Sequence, residues 1–175
     1  MEIDATRRLT YSAFFIAAGL LLPVFFHFAG LSGSAFLPMH IPVLLGGLLL
    51  GSRAGLLIGL LVPLLSSVLT GMPPLWPSAP MMAFELGLYG LTGGWLHWRR
   101  GWPILGALLA AMAVGRLGMT VLVALFADSL GIQLPPLAYL GLVLTKGAAG
   151  IGIQLLLIPL LLRYLRRYLA MGGGR

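Results

Sequence analysis

The 175-residue sequence contains no cysteine and few charged residues. Without cysteine there is no disulfide framework, no thiolate metal site and no cysteine nucleophile. A soluble domain of this length needs about 25% charged residues to cover its surface, whereas this chain has 9%, against 59% hydrophobic residues. Its apolar runs are long and continuous, unlike the alternating pattern of outer-membrane strands. The composition therefore predicts an integral membrane protein built from helices.

The motifs of small membrane enzymes are also missing. The sequence has no His-Glu-x-x-His pair for zinc, no Walker A sequence and no Gly-x-Ser-x-Gly. Its three histidines are scattered along the chain and do not suggest a metal site. Only four acidic residues are present, too few for a proton relay through the membrane. We therefore expect no enzyme activity, no cofactor and no metal, and any ATP-driven step requires a partner.

The positive charges are spaced along the chain. The sequence has eleven Lys and Arg residues against four Asp and Glu, for a formal net charge of +7. Nine of the eleven flank apolar runs instead of gathering on one basic face, which is typical of membrane topology and not of nucleic-acid binding. These nine are Arg7, Arg8, Arg53, Arg99, Arg100, Arg163, Arg166, Arg167 and Arg175.

A long apolar block at residues 39–70 decides the predicted number of spans. It is broken only by Gly51-Ser52-Arg53. If it forms two helices, the chain crosses six times and all nine flanking arginines face the cytoplasm; as one helix, it would leave Arg53 in lipid. The positive-inside rule therefore predicts one all-α domain of six transmembrane helices in the cell membrane, with both termini cytoplasmic. The predicted helices are 9–28, 39–50, 54–70, 80–98, 102–127 and 136–162.

Three charged residues lie inside predicted spans: Glu85, Arg116 and Lys146. A charge at mid-bilayer costs about 2.5–3.5 kcal/mol even on the lenient insertion scale, so each needs a reason. At about 1.5 Å per residue, all three lie between the exterior surface and the midplane. We expect His40, at the start of the second helix, near the exterior surface.

This clustering predicts a polar cavity open to the exterior. Two cations and one carboxylate leave one positive charge unmatched, which a carboxylate or phosphate ligand would neutralise. The alternative is structural: Glu85 pairs with Arg116 or Lys146, and the other cation snorkels to the headgroups. Four neighbouring residues complete the predicted binding set because they share helix faces with the charges or lie in an exterior loop. They are Trp76, Tyr89, Thr120 and Gln154.

Exterior loops and small residues add two further features. The loop at residues 71–79 is apolar and rich in proline, so it is either a lid over the cavity or a segment held at the membrane surface by Trp76. Small residues at four-residue spacing, Ala13-x-x-x-Ala17, form a flat stripe on the first helix. Such a stripe either packs internally or receives a helix of another protein.

With these features the chain resembles a known family, the substrate-binding S components of energy-coupling factor (ECF) vitamin transporters. The resemblance covers nearly the whole chain in size, number of spans and orientation. In sequence it is concentrated in Phe36-Leu37-Pro38-Met39-His40-Ile41-Pro42-Val43-Leu44-Leu45 and in residues 63–89, with Leu69-Thr70-Gly71-Met72-Pro73-Pro74 and Phe84-Glu85-Leu86. The Ala13-x-x-x-Ala17 spacing is similar to the alanine motif with which S components dock on their coupling subunit.

The resemblance implies a six-helix fold with an exterior ligand pocket under loops. It implies a transmembrane coupling (T) subunit and two cytoplasmic ATPase subunits as partners, besides a vitamin-like ligand and the lipid bilayer. Combined with the unmatched positive charge, it favours an anionic vitamin or precursor, with pantothenate as first choice. The alternatives are an autonomous small oligomeric transporter or channel, which would need a polar path to the cytoplasm, and a membrane enzyme, which the missing motifs disfavour.

Overall fold

The protein is all-helical in the part described by the computed structural model, residues 4–31 and 33–171. Within these ranges there are six helices of eleven residues or more, one four-residue helix and no strand. In chain order they are α1 (Ala5–Phe28), α2 (Gly33–Phe36), α3 (His40–Leu50), α4 (Ser52–Thr70), α5 (Ser78–Arg99), α6 (Ile104–Leu130) and α7 (Pro136–Met171).

Four of these helices are long and apolar enough to cross a membrane: α1, α4, α6 and α7. α5 has sufficient length, at 22 residues, but is less apolar. α3 has only 11 residues, or about 16 Å, roughly half of a hydrocarbon core of about 30 Å. The long apolar block divides at Gly51, whose φ of +94° suits glycine. The count of six spans and the orientation of the termini stay predictions.

The tightest packing joins α4 to α5 through glycines. A Cβ atom at Gly90 of α5 would overlap the carbonyl oxygen of Gly55 on α4, and one at Gly59 would overlap the Leu86 carbonyl. Without side chains at these positions the two backbones can approach closely. The small-residue pair Gly55-x-x-x-Gly59 of α4 therefore packs inside the bundle.

The short helix α3 is buried, and side chains of other helices bond its last carbonyl groups. Arg8 Nη2 donates to the Leu50 carbonyl oxygen at 2.7 Å, and Trp98 Nε1 donates to the Leu48 carbonyl oxygen at 3.0 Å. These bonds satisfy groups that a helix end leaves without an intrahelical partner. They also place the start of α1 and the end of α5 beside the end of α3. Arg8 therefore connects α1 to α3 by a hydrogen bond, besides flanking an apolar run.

The connection between α1 and α3 descends into the bundle. A Cβ atom at Gly150 of α7 would lie 2.7 Å from the backbone of Phe36 in α2. Gln154 Nε2, one turn further along α7, donates to the Leu37 carbonyl oxygen at 3.3 Å. This segment fills the space between α1 and α7 and brings the start of α3 to the middle of the molecule.

Candidate ligand site

A cavity of about 630 Å³ lies at the end of the bundle where α4 ends and α5 begins. Its volume falls within the range of about 300–1,000 Å³ that is typical of small-molecule sites. Most of the wall is apolar and comes from α1, the α2–α3 segment, the α4–α5 loop, α5 and α7. The apolar lining residues are Pro23, Leu31, Leu37, Pro38, Met39, Met72, Pro73, Met82, Leu142 and Val143.

An ion pair forms part of the cavity wall. Arg116 Nη1 of α6 lies 2.8 Å from Glu85 Oε1 of α5, and both side chains are less than a tenth exposed. The Tyr89 hydroxyl, one turn along α5, donates to the same Glu85 oxygen at 3.0 Å. Glu85 therefore pairs with Arg116 and not with Lys146, and its charge is matched inside the protein.

The Arg116 guanidinium still has donors to spare. Its Nε and Nη2 atoms are buried without a hydrogen-bond partner among the described residues. Thr120 Oγ1 bonds to the backbone carbonyl of Arg116, at 2.8 Å, and not to the guanidinium. Buried donors normally find partners, because leaving one unsatisfied costs about 1–3 kcal/mol. Since Arg116 lines the cavity, an acceptor on a bound molecule would satisfy these donors.

His40 is the second incompletely bonded polar group of the wall. The side chain is 3% exposed, and neither ring nitrogen has a hydrogen-bond partner in the described part of the chain. Its ring centroid lies 5.4 Å from that of Tyr89, which is about 16 Å along α5 from its start. His40 is therefore buried inside the bundle beside Tyr89, and its depth relative to the exterior membrane surface stays a prediction.

Lys146 supplies the unmatched positive charge. It lines the cavity from α7, is exposed, and takes part in no ion pair within residues 4–31 and 33–171. With Glu85 matched by Arg116, the lining has the net charge of +1 expected from the sequence, and that charge lies on Lys146. Lys146 is also the only lysine of the sequence.

The remaining predicted binding residues are not part of the described lining. Trp76 is 65% exposed and lies outside it. Tyr89 is buried behind Glu85, Thr120 bonds to the backbone of α6, and Gln154 bonds to the Leu37 carbonyl. Tyr89, Thr120 and Gln154 were predicted because each shares a helix face with a charged residue. In the structure their hydroxyl and amide groups form hydrogen bonds within the protein instead. Four of the eight predicted residues line the cavity: His40, Glu85, Arg116 and Lys146.

Several lining residues were not predicted from the sequence. Tyr139 lies two turns before Lys146 on α7, so the helical repeat could have identified it. His27 lies one turn after Pro23 near the end of α1 but has no charged neighbour in sequence to mark it. Leu37 lines the wall only because the α2–α3 segment descends into the bundle, which no periodicity in the sequence indicates.

The proline-rich loop contributes to the cavity directly. Met72 and Pro73 line it, and Ser66 Oγ at the end of α4 donates to the Met72 carbonyl oxygen at 2.7 Å. This bond holds the first residues of the loop against the bundle, whereas Trp76, further along, is exposed. The start of the loop therefore lines the cavity, as a lid would. Trp76 is exposed, as a residue held at the membrane surface would be.

The alanine stripe of α1 lies on the outside of the bundle. Ala13 and Ala17 are both exposed, whereas Phe15 and Gly19 of the same helix are buried. A Cβ atom at Gly19 would lie 2.7 Å from a methyl group of Val62, so α1 packs on α4 through this other face. The stripe is therefore free of internal packing and open to lipid or to another protein.

Comparison with known proteins identifies the family of the chain. A family model described as "ECF transporter, substrate-specific component" matches residues 7–162. The chain belongs to this family. It is therefore a membrane-embedded transporter component and not an enzyme, and membership implies T and ATPase subunits as partners and a small molecule as substrate. No curated protein and no solved structure matches the chain at a significant level.

Proposed function

We propose that this S component captures a small anionic vitamin or vitamin precursor in the cavity at the exterior side and delivers it to the cytoplasm. The observation that carries the proposal is the incomplete bonding of the cavity wall. Arg116 and His40 have buried nitrogen atoms without partners in the described residues, and Lys146 adds an unmatched positive charge. A ligand with an anionic group and hydrogen-bonding atoms supplies what these side chains lack.

Pantothenate is the first candidate among such compounds. It has a single carboxylate on a flexible body that carries an amide and two hydroxyl groups. One carboxylate matches the net charge of +1 contributed by Glu85, Arg116 and Lys146. Nicotinate-like acids, lipoate and phosphorylated compounds share the anionic group and belong in the same panel.

Transport requires the partners that the family implies. We infer six transmembrane spans with both termini in the cytoplasm, and docking of the T subunit on the exposed Ala13–Ala17 stripe. Two cytoplasmic ATPase subunits would then drive release of the vitamin to the inside. Small residues suit this role because they let a partner helix approach closely.

Binding and uptake measured separately test the proposal. The purified chain alone should bind the vitamin, whereas cells should accumulate it only when the chain is co-expressed with T and ATPase subunits. An ATPase subunit with a substituted Walker A lysine serves as the matched control and should abolish uptake while leaving binding unchanged. Uptake by the chain alone would instead identify an autonomous transporter, and absence of binding to every anionic vitamin would refute the proposed substrate class.

A further inference from the structure

The charged groups of the cavity form two zones with different electrostatics. The inner zone consists of His40, Glu85 and Arg116, all less than a tenth exposed. Its formal charges cancel because Arg116 and Glu85 are paired at 2.8 Å. The outer zone is Lys146, which is exposed and has no ion pair in the described part of the chain.

The inner zone is suited to a neutral group. Arg116 Nε and Nη2 offer donors, and a neutral His40 ring offers one donor and one acceptor. A ligand carboxylate placed here would share one guanidinium with the Glu85 carboxylate. Two buried carboxylates so close to each other repel, and burial adds a desolvation cost for the second charge. A carbonyl, hydroxyl or ring nitrogen can fill the same hydrogen bonds without that repulsion.

The outer zone is suited to an anion. The Lys146 ammonium has three donors and a charge that no described carboxylate matches. Because Lys146 lines the cavity and is not buried, an anion bound there is not forced into the closely packed interior of the bundle. Much of the remaining wall is apolar, including Leu37, Met82 and Leu142, and can cover the middle of a ligand.

We propose that the ligand binds with its neutral hydrogen-bonding end at Arg116 and His40 and its anionic group at Lys146. The substrate class is thus a two-ended molecule: an amide, ureide, hydroxyl or heterocyclic group at one end and a carboxylate or phosphate at the other. This orientation rests on the proposed function, since it presupposes an anionic ligand. It places the site of anion recognition on Lys146 and not on the more deeply buried Arg116.

Matched pairs of acids and neutral analogues test the orientation. The pairs are pantothenate with panthenol, nicotinate with nicotinamide, and lipoate with lipoamide, titrated into the purified wild-type chain and its variants. Loss of a charge-assisted hydrogen bond corresponds to roughly 10- to 100-fold in affinity. The wild type should therefore prefer one acid over its neutral analogue by about tenfold or more. Lys146→Gln should reduce that preference below about threefold, and Lys146→Arg should retain it.

Variants of the inner zone serve as the comparison. Glu85→Gln combined with Arg116→Gln keeps the zone uncharged, and His40→Leu removes the ring nitrogens. Both should weaken the acid and its neutral analogue by the same factor and leave the preference for the acid unchanged. A preference that persists in Lys146→Gln, or that disappears only in the inner-zone variants, overturns the orientation. Failure of every acid to bind the wild type overturns the anionic substrate itself, a result that is distinct from the first.

Discussion

The buried pair of Glu85 and Arg116 makes the stability of this protein sensitive to single substitutions. Glu85→Gln removes one charge and leaves the Arg116 guanidinium buried without a counter-ion, although the amide oxygen can still accept from Nη1. Breaking a buried ion pair on one side costs about 3–5 kcal/mol. Because one hydrogen bond can survive, we expect the lower limit, about 3 kcal/mol of the free energy of unfolding.

Replacing both partners should behave differently. In Glu85→Gln with Arg116→Gln no charge remains to be desolvated, and exchange of a buried pair for uncharged groups is often neutral. The double variant should therefore be more stable than Glu85→Gln alone, giving a coupling energy of roughly 2–3 kcal/mol between the two positions. Arg53→Gln is the control, because Arg53 is exposed and its substitution should change stability by less than about 0.5 kcal/mol.

Thermal unfolding of the detergent-purified variants measures these differences. For a chain of this length about 1 kcal/mol corresponds to about 2–4 °C, so Glu85→Gln should lower the midpoint by about 6–12 °C. The double variant should recover most of that loss, and Arg53→Gln should unfold with the wild type. Equal midpoints for Glu85→Gln and the wild type would refute the energetic reasoning. So would a double variant destabilised by the sum of the two single effects.

Three further predictions concern packing, docking and hydrogen bonding. Gly90→Ala should lower the free energy of unfolding by about 1–3 kcal/mol because its Cβ overlaps a backbone carbonyl of α4. Gly93→Ala should be tolerated, because its Cβ would meet only side-chain carbons, at 3.5 Å or more. Identical unfolding midpoints for the two variants would contradict this. Ala13→Trp or Ala17→Trp should abolish vitamin uptake and leave binding intact, and loss of binding would place the stripe in the structural core. Tyr89→Phe should cost about 0.5–1.5 kcal/mol of stability in thermal unfolding because Glu85 loses a hydrogen bond; an unchanged midpoint would show that this bond contributes nothing.

The charged part of the site could be predicted from the sequence because charge is rare in this chain. Among so many apolar residues, Glu85, Arg116 and Lys146 stand out inside predicted spans, and the cost of burying them favours a common polar cavity. The structure places all three in the lining of one cavity. The choice of partner for Glu85 depended on the relative rotation of α5, α6 and α7, which sequence spacing within single helices does not determine.

The polar neighbours were harder to predict for a related reason. Thr120 and Gln154 have side chains that can bond either a ligand or a nearby carbonyl, and the sequence does not distinguish these partners. In the structure Thr120 bonds to its own helix and Gln154 to the Leu37 carbonyl, 117 positions away in the chain. The second bond exists only because the α2–α3 segment enters the bundle.

The division of the long apolar block at Gly51 is a feature that the sequence pattern predicts correctly. A glycine, a serine and an arginine interrupt a run that would otherwise be one helix, and the chain turns at that point with φ of +94° at Gly51. Helix lengths are harder to predict from the sequence pattern. α3 begins only at His40, after Leu37 and Pro38 of the segment that connects it to α2. α3 thus lies between a segment that packs against α7 and the turn at Gly51.

A thermal-shift screen with anionic vitamins tests the central claim, that this cavity binds the substrate, most directly. A ligand that binds only the folded chain raises its stability by about 2.7 kcal/mol at a hundred times its dissociation constant. The account predicts that at least one of pantothenate, nicotinate, lipoate and their precursors stabilises the wild type in this way. The same compound should not stabilise a variant carrying Lys146→Gln together with His40→Leu. Equal stabilisation of that variant, or a wild type that no anion in the panel stabilises, would contradict it.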